Sequence, residues 1–305
     1  MTRNVVASVR DRLKMRSRAP GGLAYHLLVD QYVNERLLYR LARSPYGDKF
    51  VLKGAMMFGI WLRDVKRPTQ DIDLLGSGEP DPEEFAQLLR DVLSAEMGDD
   101  GVSFDLTSIK VTVATRNRAY PGLSTDLNAR FGKEQVRVHI DVGFGDTITP
   151  APRRERYPSL LDLPAPELFV YPKETSMAEK FSTILALGLE NSRMKDYYDL
   201  WLLSQRFELD TELLRAVDNT LTRRGIPRPT APPIGLSDAM TADPTKAQQW
   251  SAYVRKAGVE DTPPLHQLVS TLYKLFSPTW TGAQVDRWTP GGPWRSAEHP
   301  PMTPP

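Results

Sequence analysis

The chain has 305 residues, 40% of them hydrophobic and 25% charged, with a formal net charge of +1. That is enough chain to bury a core in one large domain or two ordinary ones, and the balanced charge exerts no global pull toward nucleic acid. Zero cysteines exclude disulfides, thiolate metal sites and cysteine nucleophiles, and four scattered histidines argue against a histidine-built zinc site.

No apolar run reaches membrane-spanning length and the first residues lack a secretory-signal core, so no membrane partner is expected and the expected location is cytoplasmic. The opening segment sets Arg3, Arg10, Arg12, Lys14, Arg16 and Arg18 against a single acid, Asp11. It reads as a solvated helix face, with an RNA-binding arm or an organelle transit peptide as alternatives. AYHLLVDQYVNERLLYRLARS, residues 24–44, predicts one long amphipathic helix with Leu27, Val33, Leu37 and Leu41 among its apolar positions. Arg36 and Arg40 lie one turn apart on it, either as part of a solvated face or reaching a phosphate together.

A short strand follows in KFVLKG, then a turn at Gly54 and Ala55 and a helix over residues 55–63. A turn of small residues lets backbone N–H groups approach phosphate oxygens, although a strand-end glycine is the ordinary reading. RPTQDIDLLGSGE comes next. In a strand, Asp71 and Asp73 share one face while Ile72 and Leu74 take the other. Two like charges side by side call for something positive between them, and a divalent metal is the candidate. With no cysteine and few histidines, oxygen ligands would do the holding, which favours magnesium or manganese. A DxD pair alone reads as a solvated edge strand, since the pattern arises by chance in many proteins.

Pro82 opens a further helix, PEEFAQLLRDVL. Residues 102–142 then read as strands, in SFDLTSIKVTVAT, GLSTDLNARF and EQVRVHIDV, with a turn at Gly132-Lys133. In the last of these Val136, Val138 and Ile140 take one face, and Arg137, His139 and Asp141 the other. Asp141 is either a third ligand or an ion-pair partner of Arg137 or His139. Lys53 and Asp146 read as strand-end and turn residues. Beyond a proline-rich connection, ETSMAEKFSTILALG and MKDYYDLWLLSQRF predict two helices. IPRPTAPPIG separates them from helices near 246–256 and 265–276. The segment from Pro278 reads as an irregular tail whose Trp280, Trp288 and Trp294 either anchor it or stack on bases.

The fold expected is therefore α+β: a mixed αβ domain over 1–165, a helical domain over 166–277 and a tail over 278–305. The ordered set ERLLYRL, FVLKGAMMF, TQDIDLL, HIDVGFGD, YPKETSMAEKF and SRMKDYYDLWLL, spanning about Glu35 to Leu203, resembles the AbiEii-type toxins of the polymerase-β-like nucleotidyltransferase superfamily. That resemblance implies a magnesium- or manganese-dependent enzyme that moves a nucleoside monophosphate from an NTP to an acceptor. It implies an RNA acceptor such as a tRNA 3′ end and a cognate antitoxin, within a toxin–antitoxin or phage-defence system. On it, Asp71 and Asp73 match the metal-binding pair, with Asp141 as the third carboxylate. Thr69 matches the hydroxyl residue just before that pair, Lys180 a nucleotide-binding or catalytic lysine, and Asp196 a downstream aspartate. Where many superfamily members carry Gly-Ser, this chain has Gly54-Ala55, so backbone contacts stand in for a hydroxyl. An aminoglycoside-like acceptor and a non-catalytic nucleotide-binding regulator are the alternatives. Lys180 alone reads equally as a surface or ion-paired lysine, and Asp196 as a first-turn residue paired with Arg193 or Lys195.

Overall fold

The alternation read in TQDIDLL and EQVRVHIDV becomes two neighbouring strands at the centre of a sheet. The structure is a computed structural model and describes residues 4–62, 69–114, 122–259 and 262–296. Arg3, the helix end at Arg63, Thr115 and the last part of the tail lie outside them.

The chain forms two units, residues 1–146 with 152–171, and residues 147–151 with 172–305. The first holds helices α1 (Val5–Arg18), α2 (Tyr25–Arg43), α3 (Met57–Leu62) and α4 (Pro82–Ser94). Its strands are β1 (Phe50–Lys53), β2 (Asp71–Gly76), β3 (Val102–Ala114), β4 (Gly122–Phe131), β5 (Glu134–Phe144), β6 (Arg153–Arg156) and β7 (Glu167–Val170). They form one mixed sheet in the order β3-β4-β5-β2-β1-β7-β6. The pairs β2–β5 and β1–β7 are parallel and the remainder antiparallel. Strands β6 and β7 form inside what the sequence reads as a proline-rich connection.

One face of this sheet carries the core. Ile72, Leu74, Val136, Val138 and Ile140 are all buried there, with Val9, Leu13, Val33, Leu37, Leu41 and Leu89 from the helices in the same cluster. Helix α4 shows how the local sequence achieves this. The Asp81 carboxylate accepts from the N–H groups of Glu83 and Glu84 at 2.8 and 3.0 Å. Pro82 takes the first helical position, where its missing N–H costs nothing. Phe85, Leu88, Leu89 and Val92 then recur at helical spacing on the buried side. Helix α1 likewise buries only Val9 and Leu13; Lys14, Arg16 and Arg18 are exposed, which is the solvated face read from sequence.

Two arginines depart from that reading. Arg36 and Arg40 on α2 are buried, neither on a solvated face nor open to a phosphate. Arg40 grips both oxygens of Asp100, at 2.7 and 3.1 Å, while Arg36 pairs with Glu35 and donates to the Pro164 carbonyl at 2.9 Å. A buried guanidinium with its carboxylate satisfied at close range is a structural pair.

The second unit is mostly helical: α5 (Lys173–Leu187), α6 (Met194–Arg206), α7 (Thr211–Arg224), α8 (Asp238–Ala242), α9 (Pro244–Ala257), α10 (Leu265–Phe276) and α11 (Pro278–Thr281). Phe181 and Phe276 stack at 4.0 Å within its core. The segment from Pro278 is not an irregular tail within the described residues. After α11 it supplies β9 (Val285–Trp288) and β10 (Trp294–Ser296), which pair with the short β8 (Leu209–Asp210) in the order β10-β9-β8. Trp288 is buried and donates its indole N–H to the Ser204 carbonyl at 2.9 Å; Trp294 donates to the Leu275 carbonyl at 2.8 Å. Both tryptophans anchor. Among the described residues no helix is long and apolar enough to cross a membrane.

Candidate active site

The polar face of the central strands is assembled by register. Asp73 of β2 lies beside Asp141 of β5, and Asp71 lies beside His139, in a parallel pair. On the other side of β2, Lys53 of β1 is the partner of Asp73. Beyond β5, Asp126 of β4 is the partner of His139 and Ser124 that of Asp141. Cross-strand partners share a face, so three strands converge their carboxylates opposite the core.

Gly54 follows the last residue of β1 and begins a 3-10 turn, Gly54–Met56, that leads into α3. The sequence predicts a helix starting at Ala55; a turn of 3-10 geometry occupies that place, and the α-helix begins at Met57. Gly54 has φ +71°, and a Cβ built on it would sit 2.0 Å from Oδ2 of Asp73. No other residue allows β1 to pass so close to that carboxylate. Lys53, just before it, sends its ammonium to Asp146 at 3.1 Å and over the Tyr171 ring at 5.3 Å. Both residues thus belong to the site's surroundings.

His139 carries the densest interactions of the face. Its Nδ1 lies 3.0 Å from Asp126, and its Nε2 lies 3.2 Å from Asp141 and 3.3 Å from the Ser124 hydroxyl. Partial burial works against a charged ring, but Asp126, Asp141 and Asp71 outweigh it and raise the His139 pKa above its ordinary value. Asp126 is held below the usual carboxylate range, chiefly by its bond to Arg137 and against the effect of partial burial. Thr69 precedes the strand and donates its hydroxyl to the Asp71 carbonyl at 3.2 Å.

Lys180 and Asp196, the other two candidates, lie in the helical unit, on α5 and α6. The Lys180 ammonium sits between two buried aspartates, 2.9 Å from Asp196 and 2.8 Å from Asp199. The second oxygen of Asp196 takes the Arg193 guanidinium. Burial alone would raise the Asp196 pKa, but Lys180 and Arg193 hold it down at about 2. Lys180 is thus paired with two aspartates, of which Asp199 is one that periodicity does not single out.

The donor set on the sheet face fits a hard divalent cation by its chemistry. Asp71, Asp73 and Asp141 offer oxygen only, and Gly54 leaves Asp73 the space a Cβ would fill. It is not a finished cage: among the described residues no three histidine or acidic side chains are gathered closely enough to hold a metal.

The chain has counterparts among known proteins. The sequence matches the family described as nucleotidyl transferase AbiEii toxin, Type IV TA system, over residues 36–276. The chain belongs to the AbiEii family. It is a nucleotidyltransferase of a toxin–antitoxin system. Two solved structures share the fold: JHP933 from Helicobacter pylori, and a "putative nucleotidyltransferase from H. pylori". They are 12% and 13% identical, with a TM-score of 0.50 each; the match covers 85% of this chain and 94% and 97% of theirs. A comparison with curated protein sequences gives no match. The mixed sheet flanked by helices, expected from the sequence, is thus the nucleotidyltransferase fold of this AbiEii protein.

Proposed function

We propose that this AbiEii enzyme transfers a nucleoside monophosphate from an NTP to the 3′ end of an RNA, with a tRNA as the acceptor class, in the cytoplasm and under control of a cognate antitoxin. The observation that carries the reading is the carboxylate face itself, with Asp73 and Asp141 side by side in register, Asp71 two residues along, and Gly54 packed against Asp73. A structural sheet surface has no use for acidic neighbours that repel each other. A triphosphate-handling site does, because magnesium or manganese bound there offsets the charge of the phosphates.

In the reaction, the acceptor hydroxyl oxygen bonds to the α-phosphorus and the bond from that phosphorus to the bridging oxygen breaks. Pyrophosphate leaves, and the hydroxyl proton passes to a carboxylate oxygen of the face. Asp71, Asp73 and Asp141 are the residues that would hold the cation. The protein's remaining task is positioning, which the rigid β1–β2–β5 register performs. Thr69, Ala55 and the backbone of the Gly54 turn are the candidate phosphate contacts. Lys180 and Asp196 enter through the family resemblance, and their mutual ion pair supports a shared role, held rigid by Asp199 and Arg193.

The test is incubation with each labelled NTP and total bacterial RNA, followed by sequencing of RNA 3′ ends. Asp71→Asn and Asp73→Asn should abolish labelling without lowering thermal stability, since each relieves like-charge repulsion. Parental labelling by either variant would overturn the site. Labelling of a small amine in place of RNA would redirect the acceptor and leave the chemistry intact.

A further inference from the structure

The antiparallel register of β4 and β5 places Ser124 opposite Asp141 and Asp126 opposite His139. The result is a continuous line of contacts. The Arg137 guanidinium donates to Asp126, with Nε 3.0 Å from one oxygen and a terminal nitrogen 2.9 Å from the other. Asp126 faces Nδ1 of His139 at 3.0 Å, and Nε2 of the same ring faces Asp141 at 3.2 Å. With both ring nitrogens committed, the imidazole cannot turn without giving up two contacts at once. None of these side chains fills the core. Asp126, His139 and Asp141 keep 38%, 32% and 40% of their side-chain surface exposed. Ion pairs that open to solvent contribute little to stability, so folding does not explain the line.

We infer that Asp126 and His139 are positioning residues for transfer: Asp126 fixes the His139 ring, and the ring fixes the carboxylate of Asp141. Sites built on strands and braced by a second layer of hydrogen bonds and ion pairs hold their reacting groups more closely than unbraced ones; here the ring is hydrogen-bonded to Asp126 and Ser124 and ion-paired with Asp141. Ser124, at 3.3 Å from Nε2, closes the bracket from the β4 side. This inference rests on the assignment of Asp141 to the active site, so the experiment separates the two.

Steady-state transfer on the full-length protein is measured for Asp141→Asn, Asp126→Asn, His139→Asn, His139→Gln and the double variant Asp126→Asn/His139→Asn. Melting temperature, NTP KM and Mn2+ affinity by titration calorimetry are recorded alongside. A glutamine amide reaches where Nε2 stood, whereas the shorter asparagine reaches only the Nδ1 position. His139→Asn should lower kcat or Mn2+ affinity about 10- to 100-fold, as loss of a bracing partner does. The melting temperature and NTP KM should hold, and His139→Gln should recover much of the loss. Asp126→Asn should act in the same direction, and the double variant should be no worse than His139→Asn alone, because the two residues work as one unit. If Asp141→Asn is inactive while His139→Asn and Asp126→Asn match the parent in kcat and Mn2+ affinity, the bracket is wrong and the site stands. Additive losses in the double variant would also overturn it. Parental activity in Asp141→Asn would instead remove the site reading itself. If His139→Asn melts far below the parent, His139→Gln and Asp126→Asn carry the same comparison.

Discussion

Gly54→Ala is the smallest change that tests whether the position of Asp73 matters. The added methyl would lie 2.0 Å from Oδ2, 2.6 Å from Cγ and 2.7 Å from Cβ of Asp73. The carboxylate oxygen must therefore retreat by about 1 Å to reach even the tightest real contact, and the crowding of Cβ means that turning the side chain is not enough. Because Lys53 and Asp73 are paired across β1 and β2, the strands themselves must part. Holding a non-glycine residue at φ +71° costs roughly 1–2 kcal/mol, and the overpacking adds about 1–3 kcal/mol. The melting temperature should fall by something on the order of 5–15 °C for a unit of this size. Catalysis should suffer more than folding does, since a misplacement of about 1 Å can cost roughly 100-fold in rate. The assay is single-turnover transfer of labelled nucleotide at a temperature where circular dichroism shows the variant fully folded. A folded Gly54→Ala enzyme with the parental rate would refute the argument that this contact sets the active geometry.

Lys180→Met should destabilise the protein by roughly 3 kcal/mol in urea titration, because it removes the cation that sits between the buried carboxylates of Asp196 and Asp199; a neutral result would mean the two carboxylates do not depend on it. Asp196 supplies a pH prediction. Its folded pKa of about 2 lies below the unfolded value, so its pairing contributes about 2 kcal/mol that is fully present above pH 4. That contribution is lost as the pH falls toward 2, and an Asp196→Asn protein should show a shallower loss of stability over the same window. Trp288→Ala should cost about 3–5 kcal/mol by removing a fully buried ring and one of the two donors to the Ser204 carbonyl, which keeps the Gly291 N–H, read as a lower urea midpoint. An unchanged midpoint would return the segment after Pro278 to the status of a loose tail.

What could be read in the sequence follows from how local its signal is. The faces of β2 and β5 were legible because a strand's period of two assigns each residue to a side without knowledge of its neighbours. The partners of those residues were not, since Asp126 meets His139 only through a strand register that no local pattern contains. A hint existed: Ser124, Asp126 and Asn128 place a polar group at every second residue of GLSTDLNARF. The burial of Arg36 and Arg40 is illegible for the same reason, because Arg40's carboxylate partner lies 60 residues along the chain. Helix α7 is not among the helices expected from the sequence, although Leu213, Val217 and Leu221 recur every fourth residue behind the cap Asp210. The order beyond Pro278 depends on Trp288 finding Ser204, a contact 84 residues away.

The parallel pairing of β2 with β5 also ties the carboxylate face to the integrity of the core. Slip that pairing by one residue and the alternation inverts: Asp71 and Asp73 would turn into the apolar cluster while Ile72 and Leu74 would turn outward. Such a chain loses its carboxylate face and its core in the same move. A misregistered chain therefore cannot keep its core while blurring that face: one alignment of two strands sets both.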